Sequence, residues 1–213
     1  MIKTIRYGVI LVCMMLCTAL VLACATNDNA PAAGENGAGV QAQSVELVDY
    51  IDYEESTDFD PNTEPAALSF ENDMGISVGG EWFPIWQDAS GLLRALGDDY
   101  KLSTAPSCVF EGEDKVFEFD GILVLTNPDG DRDIWFSIYL ENDLLSTSRG
   151  IKVGNSLEEV FDAYGDRFYW ESDSILTYSI SGIEGDAASP CIQFTIVDDL
   201  VVAIDIYYPT NVT

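Results

Sequence analysis

The chain has 213 residues, with 37 Asp+Glu against 9 Lys+Arg and no histidine, for a net charge of −28. That charge repels nucleic acid and anionic lipid headgroups. The absence of histidine excludes serine–histidine–aspartate and cysteine–histidine catalysis and removes the commonest zinc ligand.

Lys3 and Arg6 precede an apolar run from Tyr7 to Ala23, which is the order of an export signal. Val21-Leu22-Ala23-Cys24 then resembles the lipobox of bacterial lipoproteins. The resemblance implies that residues 1–23 are a signal peptide and that Cys24 becomes the lipidated N-terminus of an extracytoplasmic protein, held to the membrane through its lipid alone. An uncleaved membrane helix is the alternative, since the run is at the lower limit for spanning a bilayer. Residues 24–70 read as the lipidated cysteine and a disordered tether: Ala/Gly/Asn-rich at first, then acidic from Glu46 through Glu64 with no basic residue to offset the repulsion. The patch from Val45 to Tyr53 is apolar enough for a short docking strand or helix.

Beyond residue 70, aromatic and β-branched residues become dense and a repeat emerges. Asp88 to Tyr100 (DASGLLRALGDDY) matches Ser156 to Phe168 (SLEEVFDAYGDRF) at an offset of 68, pairing Leu92 with Val160, Leu96 with Tyr164 and Gly97 with Gly165. Each copy predicts an amphipathic helix of about three turns, started by Asp88 or by a Ser156/Glu159 capping box and stopped by glycine. Alternating segments follow both helices: KVFEFDG, ILVLTN and DIWFSIYLEN in the first, SILTYSISG, CIQFTIVDD and LVVAIDIYYP in the second. SCVFEG, Ser107 to Gly112, is a further candidate strand. The expected fold class is α+β: two tandem repeats, 71–143 and 144–213, each a short capped helix packed on an antiparallel β-meander.

This repeat resembles the tandem lobes of β-lactamase inhibitory protein and the small SmpA/OmlA-type outer-membrane assembly lipoproteins. Residues 76–208 are more closely similar to uncharacterised lipoproteins of Gram-positive anaerobes, through Ser107-Cys108-Val109-Phe110-Glu111-Gly112, Asp114-Lys115, Asn127-Pro128-Asp129-Gly130-Asp131 and Gly150-Ile151-Lys152-Val153-Gly154. In the inhibitor the two sheets form a concave face that clasps a protein. No inhibitory residue carries over to this chain, and likeness of fold does not transfer activity.

Strand alternation indicates where a partner would touch. In DIWFSIYLEN, Ile134, Phe136, Ile138 and Leu140 are expected to face the helix and Trp135, Ser137 and Tyr139 to point away. In LVVAIDIYYP, Val202, Ile204, Ile206 and Tyr208 are expected inside, and Ala203, Asp205 and Tyr207 outside. Trp135, Tyr139 and Tyr207 are thus the candidate partner-binding strip, unless the lobes or the tether cover it. Cys108 and Cys191 are either a disulfide or two free thiols. Asn127, Asp129, Asp131 and Asp133 place an oxygen at every second residue, as a calcium loop does, but Arg132 stands where that loop needs glycine and Ile138 where it needs glutamate. An acidic hairpin is the expected form, with no metal and no cofactor. The predicted function is a non-enzymatic binding module for an envelope protein or peptide, the alternative being an assembly or stability factor that binds divalent cations or cell-wall material through its acidic surface.

Overall fold

The computed structural model describes residues 65–210. In chain order these form α1 (Phe70–Asp73), β1 (Gly75–Val78), β2 (Glu81–Pro84), α2 (Ser90–Leu96), β3 (Lys101–Pro106), β4 (Glu113–Phe119), β5 (Ile122–Asp129), β6 (Arg132–Leu140), α3 (Leu157–Tyr164), β7 (Tyr169–Ser172), β8 (Ile175–Ser179), β9 (Cys191–Val197) and β10 (Leu200–Tyr207). β1 and β2 pair as a hairpin, and the other eight strands form one antiparallel sheet in the order β3-β4-β5-β6-β10-β9-β8-β7. The fold is α+β, dominated by antiparallel strands. Cys24 and the proposed tether up to residue 64 lie outside the described residues.

The sequence pattern predicts two separate sheets with two open faces. The structure corrects this: β6 and β10 pair edge to edge, with Ile138 opposite Ile206 and Leu140 opposite Ile204. These strands are too apolar to stand as exposed edges, and pairing them satisfies both ladders at once. The outer edges are instead polar. All six residues of β3 are exposed, and β7 is largely so. For that reason neither carries the alternation that betrays a strand. Ser107–Gly112, a candidate strand from sequence, is a loop, and the additional strand is β3 just before it.

The helices are shorter than predicted, 7 residues in α2 and 8 in α3, or about two turns each. Their ends follow the expected chemistry. The Glu159 N–H donates to Ser156 Oγ (3.2 Å) and the Ser156 N–H donates to Glu159 Oε2 (2.6 Å), closing the capping box. In α2 the Ser90 N–H donates to Asp88 Oδ1 at 2.8 Å. Gly97 (φ 100°, ψ −176°) and Gly165 (φ 75°, ψ −158°) stop the helices in a conformation open essentially to glycine alone. Leu92 of α2, Val160 and Tyr164 of α3, and Met74, Ile76 and Ile85 around the hairpin join Phe117, Val124, Ile138, Phe194, Ile204 and Ile206 of the sheet in one core. Helices this short are held by that packing rather than by propensity.

One ion pair ties the start of the fold to its middle. Arg149 Nε donates to Asp73 Oδ1 and Nη2 to Asp73 Oδ2, both at 2.8 Å, while Nη1 and Nη2 also reach the carbonyls of Ala66 (2.8 Å), Ala163 (3.2 Å) and Ala67 (3.1 Å). Ala66 and Ala67, which composition assigns to the tether, are thus hydrogen-bonded to the folded region through Arg149. Burial pushes the Asp73 carboxyl up, but hydrogen bonds from Arg149, the Ser69 N–H and Ser148 outweigh it and hold the carboxyl below its ordinary value. The guanidinium also lies 4.8 Å from the Tyr164 ring centroid. Removing one partner of a buried, multiply bonded pair strands the other. Arg149→Ala is expected to lower the unfolding free energy by about 3–5 kcal/mol, read from urea midpoints. Arg149→Lys should recover only part of this, because an ammonium cannot fork onto a carboxylate.

Candidate functional site

The sequence places Trp135 on the outer face of β6 and Phe136 on the inner one. The structure reverses them. A bulge interrupts the β5–β6 ladder, in which Leu125 is opposite Ser137 but Thr126 is opposite Trp135. The extra residue, Phe136, shifts the alternation by one. Trp135 is 1 % exposed and belongs to the core, so it cannot meet a partner. Phe136 instead packs against Tyr207, with ring centroids 6.2 Å apart and planes at 70°. β10 carries the same device, with its register shift between Val201 and Ala203: Val201 is buried, and Val202, expected inside, is exposed. Neither bulge has a composition signal such as glycine or proline.

Tyr139 and Tyr207 keep their predicted side. On that face the cross-strand rows run Leu125–Ser137–Tyr207–Cys191 and Leu123–Tyr139–Asp205–Gln193. The two rows are joined where Ser137 Oγ donates to Asp205 Oδ1 at 2.8 Å. Beside them, Thr177 Oγ1 reaches Glu171 Oε2 at 3.5 Å, and Gln193 Nε2 donates to the same carboxylate. Burial pushes the Asp205 carboxyl up to about 6, against the opposing effect of the Ser137 hydrogen bond. Burial likewise raises Tyr207, with the nearby charges of Asp205 and Cys191 adding to it.

Cys108 and Cys191 are both free, the first exposed in the loop after β3 and the second buried on β9, so the candidate disulfide is not formed. Burial pushes the Cys191 thiol up to about 12, which makes it a poor nucleophile. The candidate calcium residues lie in the β5–β6 hairpin, where Gly130 takes φ 61° in the turn between Asp129 and Arg132. Two of the four carboxylate or amide groups are ion-paired, Asp129 with Arg132 and Asp133 with Lys115, whose Nζ lies 2.9 Å from Asp133 Oδ2; Asn127 is held through its nitrogen, Nδ2 donating to Asp114 Oδ1 at 2.8 Å. Among the described residues no group of His, Cys, Asp and Glu side chains is arranged to hold a metal ion.

Next to this hairpin lies a cleft of about 360 Å³, lined by Trp86, Gln87, Asp88, Phe110, Asn127, Pro128, Asp129, Arg132 and Ile134. The segment before α2 builds one side by pairing with the first half of β6. The Trp86 N–H donates to the Trp135 carbonyl (3.0 Å), the Trp135 N–H to the Gln87 carbonyl (3.1 Å) and the Ala89 N–H to the Asp133 carbonyl (2.7 Å). The loop 107–112 builds the other side. Ser107 Oγ accepts from the Phe110 N–H at 3.2 Å, and Gly112 (φ 128°) lies so close to Pro128 that a Cβ there would come within 2.9 Å of it. Two motifs that stand 20 residues apart in the sequence, SCVFEG and NPDGD, thus meet at one cleft. No family model, curated protein or solved structure matches the chain.

Asp205 binds its proton more tightly in the folded chain than its ordinary value of 3.8 would allow. Its favourable contribution is therefore full below about pH 3.8 and lost as the pH rises through about 6, a difference of about 3 kcal/mol. Asp205→Asn, which keeps an acceptor for Ser137, is expected to be more stable than the parent by up to about 3 kcal/mol at pH 7. Urea unfolding at a series of pH values should show the gap closing towards pH 4; a constant gap would refute the assignment.

Proposed function

We propose that the chain is a lipid-anchored, extracytoplasmic, non-enzymatic binding module that recognises a protein or peptide on the sheet face carrying Phe136, Tyr139 and Tyr207. The observation that carries this reading is the group of half-exposed aromatic rings, Phe136, Tyr139 and Tyr207, set on the face opposite the helices beside the buried Ser137, Thr177 and Cys191. Among the described residues, α2, α3 and the β1–β2 hairpin contribute to a core with Phe117, Val124, Ile138, Phe194 and Ile206. The opposite face presents aromatic rings in partial exposure, the side chains that most often anchor interfaces. The export-signal order of residues 1–23 and the lipobox around Cys24 support the location.

The finer architecture belongs to the same proposal: residues 88–140 and 156–208 are two copies of one helix-plus-meander unit. Three observations support it. Ile138 and Ile206, which face each other across β6 and β10, stand at the 68-residue offset of the helix repeat. So do Ser137 and Asp205, which hydrogen-bond there. Each helix start also bridges to the beginning of its own last strand, Asp88 to Ile134 and Ser156 to Leu200. Related strands meeting about a local two-fold give one continuous sheet.

Replacing Phe136, Tyr139 and Tyr207 together by alanine is expected to abolish capture of an envelope partner while leaving the fold intact. Trp135→Ala should instead unfold the protein, losing about 3–5 kcal/mol. Undiminished capture by the triple variant, or its retention of calcium or wall fragments in place of a protein, would overturn the proposed face. Separately, Cys24→Ser is expected to move the protein from the membrane fraction to the soluble one; unchanged membrane association would remove the lipid anchor from the proposal.

A further inference from the structure

The cleft between Trp86 and Phe110 has features that neither the core nor the sheet face requires. Its floor is a cross-strand row, Asn127 opposite Ile134 and Ile134 opposite Asp88. Asn127 is 4 % exposed, and its Nδ2 is committed to Asp114 Oδ1 at 2.8 Å, which orients the amide. Asn127 Oδ1 is consequently a buried acceptor with no donor, a state that is costly unless something supplies one. The walls are aromatic. Trp86 holds φ 65°, which is strained for a bulky side chain, and stacks on Tyr208 (4.5 Å, 17°) while its ring lies 6.4 Å from that of Phe110.

The charges decide what such a site takes. Arg132 is bound to Asp129 at the mouth and its charge also acts on Asp88, while Asn127 Oδ1 is left without a donor among the residues that line the cleft. Aromatic faces attract cations, and the field of a chain with a net charge of −28 concentrates them and repels anions. We infer that this cleft binds an organic cation, a guanidinium or alkylammonium group, with Trp86 and Phe110 as walls, Asp88 as counter-charge and Asn127 as hydrogen-bond acceptor. Arg132 is the competing internal cation, whose removal should improve binding. The inference does not rest on the Phe136–Tyr139–Tyr207 face, since none of those residues lines the cleft.

Calorimetric titration of the full chain with argininamide, with butylammonium and with an arginine-bearing tripeptide tests the site and separates a free cation from a peptide side chain. Saturable binding of at least one of these probes is expected, with none of Nα-acetylcitrulline amide or glucose, which keep hydrogen-bonding groups but lack the charge. Asp88→Asn retains the acceptor for the Ser90 N–H and should weaken binding about tenfold, and Phe110→Ala should weaken it several-fold. Arg132→Gln should tighten it several-fold, an effect that loss of folding cannot mimic. No saturable heat with any of the three cations, equal binding of Nα-acetylcitrulline amide or glucose, or an unaltered affinity in both Asp88→Asn and Arg132→Gln would each overturn the assignment. Alanine replacement of Phe136, Tyr139 and Tyr207 should leave cation binding unchanged, so that failure of the face and failure of the cleft are told apart.

Discussion

The bulge at Phe136 is the constraint on which the rest of the structure depends. β6 has a single partner on one side, β5, but two in succession on the other: the segment from Trp86 to Ala89 along its first half and β10 along its second. The change of partner falls at the extra residue. A regular strand would keep Trp135 and Ser137 on one face, and the indole could not enter the core while the Ser137 hydroxyl faced Asp205. With the bulge, Trp135 fills the interior, Phe136 joins Tyr207, and Ser137 remains in line with Asp205. The cleft and the aromatic face are therefore consequences of one backbone irregularity.

Electrostatics reinforces this arrangement through scarcity. The described residues contain few cations, and most are already committed: Lys101 to Glu118, Lys115 to Asp133, Arg132 to Asp129, Arg149 to Asp73 and Lys152 to Asp143. The exposed pairs among these contribute little to stability. The buried one at Asp73 is different, because Arg149 spreads its five donors over a carboxylate and three backbone carbonyls and so locks three separate stretches of chain together. What remains is an acidic surface with little internal neutralisation. The field of such a surface attracts cations and repels anions.

Much of the fold was legible because it rests on local rules. The Ser156/Glu159 capping box, the glycine stops at 97 and 165, and six of the strands follow from hydrogen-bond chemistry and from side chains that alternate between water and core. The remaining elements escaped for physical reasons. β3 is wet along its whole length, so nothing in its composition marks it as a strand; only pairing with β4 makes it one. The β1–β2 hairpin is short, and Met74, Ile76 and Ile85 acquire their burial from distant parts of the chain. At the candidate site Tyr139 and Tyr207 were placed on the right face, whereas Trp135 and Phe136 were exchanged, since alternation assumes a regular pleat.

By itself the sequence determined the acidic, histidine-free chemistry, the basic-then-apolar order that leads to Cys24, the α+β class, and the caps and glycine stops of the two principal helices. These are set by residue type and by neighbours within a few positions. Only the tertiary structure decided that β6 and β10 close the strands into one sheet, that Cys108 and Cys191 stay apart, and that the calcium-like loop is an ion-paired hairpin. It also decided that Phe110, Asn127 and Trp86 share a cleft. Each of these depends on which strands pair, at what register, and where one extra residue is inserted. Those choices are made by the burial of the whole core and not by any local stretch of chain.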